Sequence, residues 1–415
     1  MADYRARIVD AELGRALEEA GAVVLRGARA VGKTETARQV AASELRLDST
    51  DPLAALARQQ PSTALSGDVP RLLDEWQLVP GLWNEVRHAV DDRRQPGQFV
   101  LSGSAVPTDE LRHPGAGRFR QLDLRTMTFT ETGHSSGAVS LGALLSGTSV
   151  EPVETTTSFE DVVHRLVVGG WPGWFEASES ASRAQLRSYI EDISEHEFVQ
   201  VAGRRRDPRR LTAMLLAVAA LIAQPASYTT MFSRIRSEGT TSIRENSVSE
   251  LYDLATRLFL VEDQPAWAPK LRSRTSALQT PKRHLVDPSL AAALLGAGPD
   301  RLLSEPETLG FCFESQVVHD LRVYAQALGA RGVFHYRDTK GRDEIDAVVE
   351  GQDGSWIAIE VKLGTAAIDR AAENLQRVVA KIERPPEASI IIIPTGVAYR
   401  RTDGVLVVPL TALGP

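Results

Sequence analysis

Gly27-Ala28-Arg29-Ala30-Val31-Gly32-Lys33-Thr34 sets two glycines, a lysine and a hydroxyl residue at the spacing G-x-x-x-x-G-K-[ST]. Gly27 and Gly32 permit a tight backbone curl whose successive N–H groups point inward, a geometry that suits phosphate oxygens. Lys33 can place a mobile ammonium between the β- and γ-phosphates, and the Thr34 hydroxyl is a hard oxygen ligand for Mg²⁺. Residues 27–34 are therefore the expected nucleotide-binding segment, with ATP and Mg²⁺ as the expected cofactors. Hydrolysis needs a further carboxylate site, and Val69-Pro-Arg-Leu-Leu-Asp74-Glu75 offers one at a strand end. Asp74 is expected to hold Mg²⁺ through water, and Glu75 to polarise the attacking water as general base. Ser102 or Ser104, closing Phe99-Val-Leu-Ser-Gly-Ser104, is placed to reach the γ-phosphate. Arg118 is a candidate to stabilise γ-phosphate charge, in its own subunit or a neighbouring one.

A second group of residues lies in the last third of the chain. Glu360-Val-Lys362 puts an acid and a lysine two apart, hence on one face of a strand. Asp346 lies on the preceding expected strand, and Glu314 on an expected helix before it. Two carboxylates and a lysine can bind Mg²⁺, position a water and stabilise phosphorane-like charge. The order of helix acid, strand acid and E-x-K resembles the PD-(D/E)xK nuclease arrangement, so Glu314, Asp346, Glu360 and Lys362 form a possible nuclease site. A plain alternative is an acid–lysine pair on a solvated face.

These residues need a scaffold. Up to about residue 150, short apolar runs alternate with amphipathic segments. Strands are expected at Ala22–Leu25, Val69–Leu73 and Phe99–Leu101, and helices at Thr34–Leu45 and Glu85–Asp92. Such alternation predicts a parallel α/β sheet. The Gly-, Ser- and Thr-rich stretch Gly133–Thr157 reads as a connection, with Leu141–Leu145 packing locally. Residues 160–265 read as mostly helical, over Ala184–Phe198, Leu211–Ala223 and Val248–Phe259. Beyond 305 the expected order is a helix at Glu307–Leu328, strands at Val333–Arg337, Ile345–Val349 and Trp356–Val361, a helix at Ile368–Ile382, and strands at Ser389–Ile393 and Gly404–Val408. The expected domains are 1–135, 136–300 and 301–415.

Bulk properties bound the function. The chain has 415 residues, which predicts two to three domains. A net charge of −7 means that any nucleic-acid contact must come from a local basic patch. The best one is Arg204–Arg206 with Arg209 and Arg210. The single cysteine, Cys312, sits between phenylalanines and reads as buried; it excludes an internal disulfide and suits a reducing cytoplasm. No signal peptide or membrane span is evident, and a cytoplasmic location is expected. Only six of the 47 basic residues are lysines, so each lysine invites the question of why a compact ammonium is needed there.

The order of motifs resembles a prokaryotic family of AAA-type ATP-binding proteins with a C-terminal domain of unknown function. The resemblance rests on the phosphate loop and on Leu47-Asp48, Asp74-Glu75-Trp-Gln77 with Val79-Pro80, Ser102-Gly-Ser104, Gly117-Arg118, Gly169-Gly-Trp-Pro172 and His284-Leu-Val-Asp287. Two departures stand out: Glu195-His-Glu197 lies where the family carries an arginine–aspartate pair, and Trp76 replaces an aliphatic residue. The resemblance implies a winged-helix-like module near residues 210–267. Its would-be recognition helix, Ser247–Arg257, carries Glu250 and Asp253, which phosphates would repel, so a structural or protein-contact role fits it better. The functions implied are an ATP-hydrolysing switch, an ATP-gated Mg²⁺-dependent nuclease, or a nucleotide sensor that hardly turns over, with DNA or a protein as possible partner. The sequence leaves the oligomeric state open.

Overall fold

A computed structural model describes residues 4–104, 115–148, 150–198, 207–237, 239, 243–270, 279–338 and 341–415. The basic run Arg204–Arg206 lies outside the described residues. The chain forms two compact units: Met1–Arg125 with His196–Arg205 and Leu254–Leu260, and Thr126–Glu195 with Arg206–Asp253 and Val261–Pro415.

The first unit is built on a parallel sheet of β1 (Ala22–Arg26), β2 (Ser43–Arg46), β3 (Arg71–Asp74), β4 (Phe99–Gly103) and β5 (Phe119–Asp123), in the order β2-β3-β4-β1-β5. Its helices are α1 (Val9–Glu19), α2 (Lys33–Arg38), α3 (Pro52–Gln59) and α4 (Leu82–Arg93). Every residue of β3 and β4 is buried, as expected for strands covered on both faces. Trp83 of α4 packs in the core and stacks on Phe119 with centroids 4.1 Å apart.

The expected helix over Thr34–Leu45 is corrected: α2 stops at Arg38, and Ser43–Arg46 forms an edge strand paired with β3. Leu45 and Leu47 are buried while their neighbours Glu44 and Arg46 are exposed. That alternation is the period of a strand. The strand expected from Val69 starts at Arg71. The Arg71 guanidinium is buried and donates to the Ala64 carbonyl at 2.6 Å and to Ser43 Oγ at 3.0 Å, so no buried donor of that fork is stranded by the packing. Arg118, a candidate for stabilising γ-phosphate charge, immediately precedes β5.

The second unit carries a sheet in the order β10-β11-β12-β13-β15-β14-β7. The strands of this unit are β6 (Val139–Ser140), β7 (Val153–Glu154), β8 (Val261–Gln264), β9 (Lys282–Leu285), β10 (Gly332–Arg337), β11 (Glu344–Glu350), β12 (Trp356–Val361), β13 (Ala388–Ile393), β14 (Val397–Arg400), β15 (Leu406–Pro409) and β16 (Leu413–Gly414). β10, β11 and β12 are antiparallel, whereas β12, β13 and β15 run parallel. The helix Ile368–Val379 connects β12 to β13 and buries Ala371, Ala372, Leu375 and Val378. The long helix Pro306–Ala327 buries Cys312. Gly133–Thr157 is more than a connection: β7 pairs with β14, and β6 with β16. The helices Arg209–Ala220 and Val248–Arg257 fall where helices were expected, Tyr228–Ser237 is a further helix between them, and the helix expected over Ala184–Phe198 runs Glu179–Asp192 and continues as a π turn over Ile193–Glu197.

Candidate functional site

Because β1, β3 and β4 are parallel, their carboxyl ends meet at one edge of the first sheet, the edge where open α/β sheets bind ligands. The phosphate loop leaves β1 there, Asp74 closes β3, and Ser102 lies near the end of β4. Gly27 has φ +156°, and a Cβ on it would lie 2.1 Å from the Leu124 carbonyl oxygen. Gly32 has φ +98°, and Ala30 is also left-handed. The curl that the glycines permit is thus formed. Gly27→Ala should weaken nucleotide binding and destabilise the unit by about 1–3 kcal/mol, through the clash with a fixed backbone. Thermal melting and a nucleotide titration check this.

Lys33 is buried and donates to the carbonyls of Gly27 at 2.9 Å and Ala28 at 2.7 Å, so its ammonium lies inside the loop. Burial lowers its pKa to about 8, against the pull of Glu75, Glu197 and Asp74. The Thr34 hydroxyl donates to the Asp74 carboxylate, with oxygens at 3.0 and 3.1 Å, and Ser102 Oγ donates to the same carboxylate. These hydroxyl and carboxylate oxygens are the hard donors that Mg²⁺ takes. The curled loop, the enclosed ammonium and this oxygen pair fit a magnesium–triphosphate; Thr34 and Asp74 would hold the metal. Glu75 follows β3 in a left-handed conformation, φ +56°. Burial raises its pKa, which Lys33 and the Gln77 hydrogen bond oppose. Gln77 Nε2 donates to Glu75 Oε2. Gly103 makes room for that amide, since a Cβ there would lie 2.3 Å from Gln77 Oε1.

Arg118 is not brought to this edge. Its carbonyl accepts from Ala22 N at 3.1 Å, at the amino end of β1, and its guanidinium pairs with Asp91 at 2.8 Å. A γ-phosphate role within its own subunit is therefore corrected: parallel pairing of β5 with β1 fixes Arg118 at the opposite end of the sheet. Ser104 is buried beside the Ser102–Gly103 strand end. Arg29 turns outward from the loop and meets Glu197 at 3.1 Å. Glu197 belongs to the segment that departs from the family's arginine–aspartate pattern, and sequence reasoning gave it no role.

In the second unit, Glu314, Asp346, Glu360 and Lys362 come together. Lys362 Nζ lies 2.8 Å from Glu360 Oε1 and 3.7 Å from Asp346 Oδ2. Asp346 Oδ2 also accepts from Val361 N at 2.9 Å. Lys282, absent from the sequence expectations, enters the same cluster from β9: its ammonium lies 2.7 Å from Glu314, 3.2 Å from Glu344 and 3.4 Å from Asp346. Burial pushes Glu314 up to about 8, against Lys282, and Glu360 up to about 7, with Asp346 adding to the rise. Asp346 is held low: burial raises it, but Lys282, Lys362 and the Val361 amide outweigh that. The available signal for Lys282 was the scarcity of lysine in the chain.

Residues 19–133 match the AAA domain family, residues 159–301 a domain of unknown function (DUF8612), and residues 309–413 another domain of unknown function (DUF4143). The chain thus carries an AAA domain followed by a C-terminal domain of unknown function, the arrangement expected of an AAA-type ATP-binding protein. Uncharacterized proteins of Mycobacterium tuberculosis and Mycobacterium bovis are each 26% identical to this AAA protein over 409 residues, covering 96% of this chain and 82% of theirs. Among solved structures it is similar to a Walker-type ATPase of Pyrococcus abyssi, with TM-score 0.41 and 14% identity over 69% of this chain and 94% of that chain. It is also similar to the Aeropyrum pernix ORC1 protein in complex with DNA, with TM-score 0.28 and 13% identity over 74% of this chain and 95% of that chain. The first unit of this AAA protein has a P-loop NTPase-like fold. Among the described residues, no helix is long and apolar enough to cross a membrane.

Two further motifs of this AAA protein meet in the second unit. The helix Phe159–Val168 ends at Gly169, which has φ +77°. The next residue, Gly170, donates to Asp287 Oδ2 at 2.9 Å, and Trp171 Nε1 donates to Ser289 Oγ at 3.2 Å. A Cβ on Gly170 would lie 2.0 Å from the Met127 carbonyl oxygen, so the glycine pair serves close backbone approach. The Gly-Gly-Trp-Pro and His-Leu-Val-Asp segments are thus two sides of one buried contact.

Proposed function

We propose that this AAA protein binds Mg·ATP through Gly27–Thr34 and hydrolyses it, with Glu75 as general base, and that the change is passed to its C-terminal module as effector. The observation that carries this reading is the convergence of the Thr34 and Ser102 hydroxyls on Asp74, beside the enclosed Lys33 and the half-buried Glu75. Lys33 would neutralise phosphate charge, Thr34 and Asp74 would hold Mg²⁺, and Ser102 would orient the Asp74 carboxylate. Bound Mg²⁺ would add its own charge to that neutralisation. Glu75, fixed by Gln77, would take the proton of the attacking water. Any charge-stabilising action of Arg118 would fall on a neighbouring subunit. A cytoplasmic location and the division into 1–135, 136–300 and 301–415 belong to this reading.

Calorimetric titration of the pure protein with Mg·ATP, paired with phosphate release, tests it. Wild type should bind and turn over. Lys33→Ala should bind about tenfold to a hundredfold more weakly, the value of one hydrogen bond to a charged group. A folded wild type that neither binds Mg·ATP nor carries nucleotide along would reject the proposal. Tight binding without turnover would favour the sensor reading.

The helix Val248–Arg257 exposes Glu250 and Asp253, which supports a protein-contact or structural role over DNA reading. The order of three helices followed by the antiparallel pair β8–β9 supports the winged-helix-like reading of this region. The nuclease alternative has its own favouring observation, the meeting of Glu314, Asp346, Glu360 and Lys362 in the order that resembles PD-(D/E)xK sites. A metal-dependent DNA or RNA cleavage assay, compared with Lys362→Ala, decides it.

A further inference from the structure

The nuclease reading needs a divalent ion among the carboxylates of the C-terminal module, and the residues present do not leave a place for one. The centre of the cluster is taken by Lys282, whose side chain is 3% exposed. Its ammonium lies within 2.7–3.4 Å of oxygens from Glu314, Glu344 and Asp346, three carboxylates from a helix and a strand. These are the contacts that a bound cation would make. The remaining Asp346 oxygen is engaged by Val361 N, and Glu360 by Lys362. Among the described residues, no group of three or more His, Cys, Asp or Glu side chains is placed to hold a metal ion.

Lys282 is also held firmly where it is. β9 is buried at every position and pairs antiparallel with β8, Lys282 facing Gln264. Gln264 donates to the carbonyls of Phe334 at 2.9 Å and Asp346 at 3.0 Å, and its Oε1 meets His284 Nε2 at 3.2 Å. His284 Nδ1 in turn meets Ser315 Oγ at 3.0 Å. The β8–β9 pair is thereby bonded to β10 and β11 through Gln264, and through His284 to the helix that bears Glu314. Swinging Lys282 out would strand buried carboxylates, a costly change inside a protein.

We infer that the Lys282 ammonium is a built-in cation that replaces a divalent metal in this carboxylate cluster, so that the C-terminal module is held together by charge and is not a metal-dependent phosphodiesterase. The inference concerns that module alone and does not depend on ATP binding at the phosphate loop.

Mn²⁺ binding by the full-length protein in nucleotide-free buffer, read by electron paramagnetic resonance, tests it. Wild type and Asp346→Asn should bind Mn²⁺ alike, because Asp346 is engaged by lysine. Lys282→Ala should gain a site at least about tenfold tighter than any in wild type. That gain should vanish in Lys282→Ala/Asp346→Asn. Weaker Mn²⁺ binding by Asp346→Asn than by wild type would overturn the inference, as would a folded Lys282→Ala that gains nothing. Should Lys282→Ala fail to fold, the comparison of wild type with Asp346→Asn still decides. A failed ATP titration would leave all these outcomes unchanged, so the two proposals fall separately.

Discussion

Glu75→Gln should bind Mg·ATP as tightly as the wild-type chain and turn it over roughly 10²–10⁴-fold more slowly, the usual contribution of a positioned general base. The substitution keeps shape and hydrogen-bonding reach and removes only basicity. Three features make Glu75 the residue to test. It follows β3 in a left-handed conformation, so its side chain departs from the run of the strand. Its carboxylate is fixed by the Gln77 amide. Burial raises its pKa, which makes it a better proton acceptor than an exposed glutamate. Asp74→Asn is the informative contrast, because its carboxylate is engaged with Thr34 and Ser102 and should act on metal binding. Single-turnover phosphate release separates the two variants. Unchanged turnover in Glu75→Gln would remove Glu75 from the mechanism.

Asp287→Ala should cost roughly 3 kcal/mol, from two lost hydrogen bonds and one uncompensated charge. One oxygen of Asp287 accepts from Gly170 N and the other from Ser289 N, where it caps the helix Pro288–Leu294. The side chain is 2% exposed, so water does not replace it. Arg165 is buried nearby; burial lowers its pKa to about 10, and Asp287 is the charge that opposes this. A fall in melting temperature of roughly 5–10 °C is expected for a unit of this size. Asp287→Asn retains an acceptor oxygen and should fall between the two. A melting curve for Asp287→Ala that overlays the wild type would show that the contact carries no stability.

The phosphate loop was readable because its chemistry is local. Eight consecutive residues carry the glycines, the lysine and the hydroxyl, and the flanking strand and helix lie on either side of them. Asp74, Glu75 and Ser102 were readable for a related reason: each ends an apolar run, and parallel strands bring such ends to one edge. The boundary errors arose where a pattern serves two periods. Ala37 to Leu45 satisfies a helix until Leu45 and Leu47 are paired with the strand beside them, and only tertiary pairing selects the period of two. Arg118 followed a family-like Gly-Arg pair, but a residue before a strand lies at the far end from a residue after one.

The sequence by itself determined the likeness of residues 19–133 to the AAA domain family and the place of the candidate phosphate loop, since contiguous residues and their order suffice for both. Tertiary structure alone decided the rest. It joined Gly170 to Asp287 and drove Lys282 among three carboxylates. Those contacts bridge stretches of chain whose separation no local pattern encodes. They exist because buried polar and charged groups must find partners wherever the folded backbone offers them.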